Sequence, residues 1–175
     1  MANKYNNRNE NLINLEEIEE INLLYSNFEY KKYFRFLCNI KPNKKNEKLE
    51  INSQVNEEHF NVDKRKGLVY IFVYNNKILK IWKSETTFKW RVESYNTWKT
   101  KYRISWKNST TNWFCLQSFI LIDKEIEVYV YFPIKEIAEI FWIEREVEPN
   151  PKHWEKEILT KLEKQNKKPI FCTQT

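Results

Sequence analysis

A chain of 175 residues with one glycine, one methionine, two histidines and three cysteines is defined first by what it withholds. Glycine is nearly absent and prolines number 5, so the left-handed backbone of tight turns falls to asparagine, which tolerates it best after glycine. Cys38, Cys115 and Cys172 are far apart and form no CxxC pair. With His59 and His153 equally separated, no zinc-ligand spacing exists, and the odd cysteine count suits a reducing compartment. No stretch approaches the roughly eighteen apolar residues of a membrane span. The start, MANKYNNRNENLINLEE, carries no apolar signal segment, so the sequence predicts a cytoplasmic protein with no membrane contact.

Aromatic residues are plentiful instead: 7 Trp, 10 Tyr and 11 Phe in a chain that is 41% apolar, which excludes a disordered polymer. The length supports one hydrophobic core with an appended arm, not two independent domains. Thirty Lys plus Arg face 24 Asp plus Glu, a formal charge of +6. That balance favours a polyanionic partner, and it equally describes a lysine-rich solvated surface.

Apolar residues over Leu12–Ile40 recur at helical spacing, predicting two helices that meet near Ser26-Asn27. Residues 41–66 are charged and short of apolar anchors, a long connection or exposed arm. From Gly67 the period becomes two. Leu68–Tyr74 and Lys77–Trp82 are β runs separated by Asn75-Asn76, a strong hairpin signal. Ser84 can cap a helix over 86–95, with Glu85 near its positive end. Residues 96–110 are polar, a loop region. A second hairpin is expected over 113–132 about Asp123-Lys124, then a short helix after Pro133. The last helix runs from near His153 to about Lys164 and leads to an apolar tail that could dock on the body or on a partner. The predicted class is α+β: a small, mainly antiparallel sheet flanked by helices, with a helical N-terminal extension.

The densest chemistry lies in 67–95. Tyr70 and Lys80 sit on adjacent strands, and whether they share a face depends on the turn. A two-residue turn pairs Tyr70 with Ile81 and turns Lys80 away. A three-residue loop, or a bulge, leaves Lys80 on the Tyr70 face. The next helix carries Arg91 and, one turn on, Tyr95. Two phenols, an ammonium and a guanidinium suit a phosphodiester: the cations neutralise phosphoryl charge and draw a phenol towards general-base use.

Here the chain resembles the GIY-YIG nuclease superfamily, particularly its small Type II restriction endonucleases of the Helicobacter kind. The first motif corresponds to Leu68-Val69-Tyr70, with Gly67 one place early. The second corresponds to Lys80-Ile81-Trp82, so that lysine replaces its tyrosine and tryptophan its glycine. Arg91 and Tyr95 match the helix positions that follow. Glu155 matches the metal-binding glutamate, with Glu157 as runner-up, and Asn166 the structural asparagine after it.

The resemblance implies a GIY-YIG-like catalytic core over 67–168, an N-terminal extension over 1–66 for DNA binding or dimerisation, and a tail over 169–175. It implies Tyr70 as general base, Lys80 holding the phenolic oxygen or the water, and Arg91 and Tyr95 contacting the phosphoryl group. Glu155 would hold Mg²⁺, for which Mn²⁺ can substitute. The expected partner is double-stranded DNA, cut at a specific site to leave 5′-phosphates by a homodimer. Residues 12–66 and the 168–175 tail are candidate dimer contacts. Trp98, Lys99, Lys101, Tyr102, Arg103, Trp106 and Lys107 form either a DNA-facing strip or a solvated loop with its aromatics tucked inward. The competing readings are a catalytically inactive nucleic-acid-binding module on the same scaffold and a structural protein. Dispersal of Tyr70, Arg91 and Glu155 would favour the former, and a mixed-charge surface without a basic cleft the latter.

Overall fold

The structure is a computed structural model, and it describes residues 15–16, 23–55, 61–97, 110–140, 142–147, 150–167 and 169–172. Seven strands and three α-helices are present among them: β1 Arg35–Asn43, β2 Lys48–Gln54, β3 Leu68–Tyr74, β4 Lys77–Ser84, α1 Phe88–Asn96, α2 Thr110–Ile122, β5 Ile126–Tyr131, β6 Glu136–Ile140, β7 Ile143–Val147 and α3 Pro151–Lys164. Strands β1 to β5 form one antiparallel sheet of order β2-β1-β5-β3-β4, and β6 pairs with β7 alone.

Both faces of this sheet are covered. All seven residues of β3 are buried, the pattern of a central strand. Leu68, Tyr70 and Phe72 join Phe88, Val92 and Tyr95 of α1 and Cys115, Leu116 and Phe119 of α2 on one side. Val69, Ile71 and Val73 join Ile158 and Leu162 of α3, with Leu23, Phe28 and Phe34, on the other.

Strand β3, strand β4, α1 and α3 stand where the sequence puts them, with shifted caps. Thr87, not Ser84, caps α1, its side chain accepting from the Trp90 amide. Asn150 caps α3 with Pro151 in its first turn, where the missing N–H costs nothing.

Three expectations are overturned. The helical N-terminal extension is, over its described residues, two short 3₁₀ turns at Tyr25–Asn27 and Lys31–Tyr33 followed by β1 and β2. Pairing with β5 overrides the local helical spacing, and the charged stretch after residue 41 supplies β2. Residues 113–122, expected as a strand, belong to α2, since a run that is apolar but for Gln117 and Ser118 fits a buried helix as well as a strand. The segment after Pro133, expected as a helix, is the β6–β7 hairpin.

Strand β4 is the edge of the large sheet, and its outward groups are occupied. The Ile78 amide donates to the Leu23 carbonyl, the Leu79 carbonyl accepts from the Phe171 amide, and Ile81 exchanges bonds with the Cys172 thiol. The tail therefore docks on its own body, with Phe171 and Cys172 buried. Asn166 makes this path possible. It adopts φ 54° just after α3, its amide donating to the Glu163 carbonyl and that of Lys167 to Leu162, a Schellman cap in which asparagine replaces glycine. Asn75 and Asn76 likewise take φ 48° and 64° in the β3–β4 turn. Replacing Asn166 with valine should cost about 1–2 kcal/mol of unfolding free energy, while Asn166→Gly stays near wild type. Urea denaturation checks this, and equal loss in both variants would place the strain elsewhere.

Candidate active site

The β3–β4 register settles the face of Lys80. The turn is the two-residue Asn75-Asn76 type, yet Phe72 lies opposite Lys80 and Val73 opposite Ile78, so Leu79 is an extra residue in β4. This bulge flips the alternation. Leu79 packs with Tyr70 and Phe72, whereas Ile78 and Ile81 pack on the far side. Lys80 consequently points to the Tyr70 face and is 1% exposed. Gly67, before β3, takes φ 70°; a Cβ there would meet nothing within 4 Å, so it is the backbone conformation and not crowding that favours glycine.

Helix α1 lies over that face. The Arg91 Nε donates to the Tyr70 Oη at 2.8 Å, and the Tyr70 and Tyr95 hydroxyls share a hydrogen bond of 2.8 Å. The Arg91 guanidinium lies 4.9 Å from the Tyr95 ring centroid. The Lys80 Nζ lies 5.1 Å from the ring centroids of both Trp82 and Tyr95 and donates to the Asn112 Oδ1 at 3.2 Å. Sequence reasoning noted Trp82 only as a departure from a motif and missed Asn112. The Thr-Thr-Asn run ahead of an apolar stretch is a helix-start signal that could have placed Asn112.

Burial and the neighbouring Tyr95 push the Tyr70 phenol well above its ordinary range, while Arg91 and Lys80 pull it down. Tyr95 is raised as well, chiefly by burial. Cys115, buried behind the site, has its thiol pushed up to about 12, which removes thiolate chemistry at neutral pH.

Glu155 comes from α3 at the β4 edge. The backbone amide of Lys83 donates to its carboxylate, and the charges of Lys83, Lys80 and Arg91 all reach it. Its side chain is 7% exposed, and its Oε1 is buried with no hydrogen-bond partner. No acidic residue stands in the first turn of α3, so Glu155 is not there to serve the helix dipole. Glu157 is exposed instead, 3.8 Å from the His153 Nε2. Lys80 and Arg91, which meet Tyr95 and Tyr70, thus also act by charge on Glu155. The basic and aromatic strip over 98–107 lies outside the described residues.

A buried, acceptor-only oxygen is suited to a hard cation, and Glu155 is the residue that would supply it. Among the described residues no group of three His, Cys, Asp or Glu side chains could cage a metal, so other ligands would have to be water or substrate oxygens. Burial raises the Glu155 carboxyl from 4.5 to about 7. The folded chain then binds more protons than the unfolded one between those values, so stability should fall as pH climbs through that window and level off above it. Thermal melts in metal-free buffer should show Glu155→Gln matching wild type at the acid end and melting higher above neutrality. Parallel curves would refute the assignment.

No family model and no curated protein sequence matches the chain. Among solved structures, restriction endonuclease HPY188I in complex with product DNA is 44% identical over 87% of this chain and 87% of its own, with a TM-score of 0.62. A mutant of bacteriophage T4 EndoII shares the fold at 14% identity and a TM-score of 0.53, over 80% of this chain and 93% of its own. Among the described residues, no helix is long and apolar enough to cross a membrane. On the identity and coverage of the first match, this chain belongs to the family of the restriction endonuclease HPY188I.

Proposed function

We propose that this protein is a Type II restriction endonuclease of GIY-YIG type, cutting double-stranded DNA at a specific site and leaving 5′-phosphates. The observation that carries the reading is the convergence of the Tyr70 phenol, held by Arg91 and Tyr95, with the charges of Lys80 and Glu155. A silent binding module would have no use for a buried carboxylate oxygen left without a partner.

In the ionised form, the Tyr70 Oη takes a proton from a water whose oxygen forms the new bond to phosphorus; the bond to the 3′ oxygen breaks, its electron pair stays on that oxygen, and a solvent water protonates it. Arg91 and Lys80 favour that ionised form and offset the charge gathering on the phosphoryl oxygens. Mg²⁺ at Glu155, or Mn²⁺ in its place, would supply Lewis-acid stabilisation of the phosphoryl group. The N-terminal segment 1–66 adds contacts to the DNA backbone, for which the exposed Lys41, Lys44 and Lys45 about the β1–β2 turn are suited. Plasmid DNA of varied sequence should yield discrete fragments with Mg²⁺ and none with EDTA. Tyr70→Phe and Glu155→Gln should each slow cutting by on the order of 100-fold or more. A folded wild type that leaves every DNA intact would leave the binding-module reading in its place.

The same reading calls for a homodimer, so that both strands of a two-fold symmetric site are cut. The β6–β7 hairpin is the surface best suited to a second copy. It exposes Ile134, Ile137 and Ile143, and Trp142 stands 93% exposed at its tip. Trp142 also takes φ 66°, a conformation that strains a bulky residue. Sedimentation should find a dimer that Trp142→Ser weakens by about tenfold or more, with nicking gaining on double-strand cleavage. A monomeric wild type, or a variant as dimeric as wild type, would remove the hairpin from this role.

A further inference from the structure

Lys80 is 1% exposed, and among the described residues its close partners, Asn112, Trp82 and Tyr95, include no carboxylate. The Asn112 Oδ1 accepts from its Nζ at 3.2 Å, and the Trp82 and Tyr95 rings present their faces to it with centroids at 5.1 Å. Those partners come from three elements, β4, α1 and α2, that close around one nitrogen.

We propose that Asn112 is a positioning residue for DNA cleavage, its amide oxygen fixing the Lys80 ammonium beside the Tyr70 phenol while leaving the charge uncancelled. The inference rests on the nuclease reading of this site. An ammonium is a strongly hydrated point charge on a flexible four-carbon stem, and a buried one needs an acceptor to hold it. A carboxylate at this position would hold it and also neutralise it, removing the field that pulls the Tyr70 phenol down. An apolar side chain would leave the field and lose the geometry. An amide oxygen does neither harm: it is an oriented neutral dipole.

The placement is also rigid. Asn112 lies in the first turn of α2, ahead of Cys115 and Leu116, both fully buried in the core that contains Tyr70 and Tyr95. Helix α2 packs against α1, β1 and β2, so the amide is carried by the scaffold and not by a loop. The ring faces attract the cation without directing it. Of the three partners, the amide oxygen alone accepts a hydrogen bond along a defined axis.

The test uses the full chain and a linear DNA fragment carrying one site that the wild type cuts. Single-turnover cleavage with Mg²⁺ is measured for wild type, Asn112→Leu, Asn112→Asp, Lys80→Met and the double variant Lys80→Met with Asn112→Leu. Affinity for the same fragment is measured in EDTA, and each variant is checked by thermal melting. Both single changes at Asn112 should slow cleavage by on the order of 10- to 100-fold, with affinity changed by less than about threefold. The double variant should be no slower than Lys80→Met alone, because the proposal has Asn112 act on cleavage through that lysine. A merely structural asparagine predicts the opposite, with the two losses multiplying. Either multiplied losses or a folded Asn112→Asp that cuts at the wild-type rate overturns the proposal, so the near-isosteric aspartate decides the matter if the leucine variant fails to fold. If wild type cuts and the Asn112 variants cut equally, this inference falls alone. If folded wild type cuts no DNA, the nuclease reading falls and takes this inference with it.

Discussion

Leu79 has no partner in the ladder between β3 and β4, and the chemistry of the site follows from that omission. In a regular two-residue hairpin Lys80 would face α3 with Ile78, while Ile81 joined Tyr70 on the α1 side. The extra residue puts Leu79 and Lys80 together on the α1 side and so joins the ammonium to the phenol. A bulge also frees backbone groups, and here the outward Leu79 carbonyl is met by the Phe171 amide from the C-terminal tail. The tail arrives there because Asn166 takes the left-handed turn after α3. A site built from residues 70–95 thus depends on backbone bonds more than seventy residues further along the chain.

What the bulge assembles is electrostatically costly. Arg91 and Lys80 are brought into a buried aromatic cluster where their neighbours are phenol oxygens, an amide oxygen and ring faces. An acidic partner on each cation would be the simpler way to satisfy it. Neutral partners hold the charges in place and leave their field available to an incoming anion, which is the condition for preorganised stabilisation of a phosphoryl group. The packing around them must supply the stability that the charges withhold. The density of aromatic contacts about Tyr70, Phe72, Phe88, Tyr95 and Phe119 is where it does so.

Those parts of the molecule whose pattern is local were legible in the sequence: the β3–β4 hairpin, α1, α3, and the asparagine turns that stand in for glycine. The five candidate site residues stood out as letters and spacing, but the face of Lys80 did not, because turn length and bulge give it opposite faces and nothing local chooses between them. The remaining errors share a cause. Residues 113–122 are apolar almost throughout, so neither period stands out. Phe34 to Ile40 carries helical spacing but is claimed by β5, a partner some ninety residues away. Where a tertiary neighbour decides, local preference loses.

Glu155 shows how far fold and chemistry are merged at the β4 edge. Its carboxylate accepts the outward amide of Lys83, as an edge strand requires, and that duty alone could be met by a glutamine without ionisation. A carboxylate does it at a disadvantage: burial opposes its charge, and Oε1 remains buried with no donor. The three cations around it ease the charge but do not satisfy the oxygen. The proposed metal role would give the negative oxygen a use, and Glu155 lies within the field of the same Arg91 and Lys80 that act on Tyr70. On the proposed reading, that unmet oxygen is where a cation would sit.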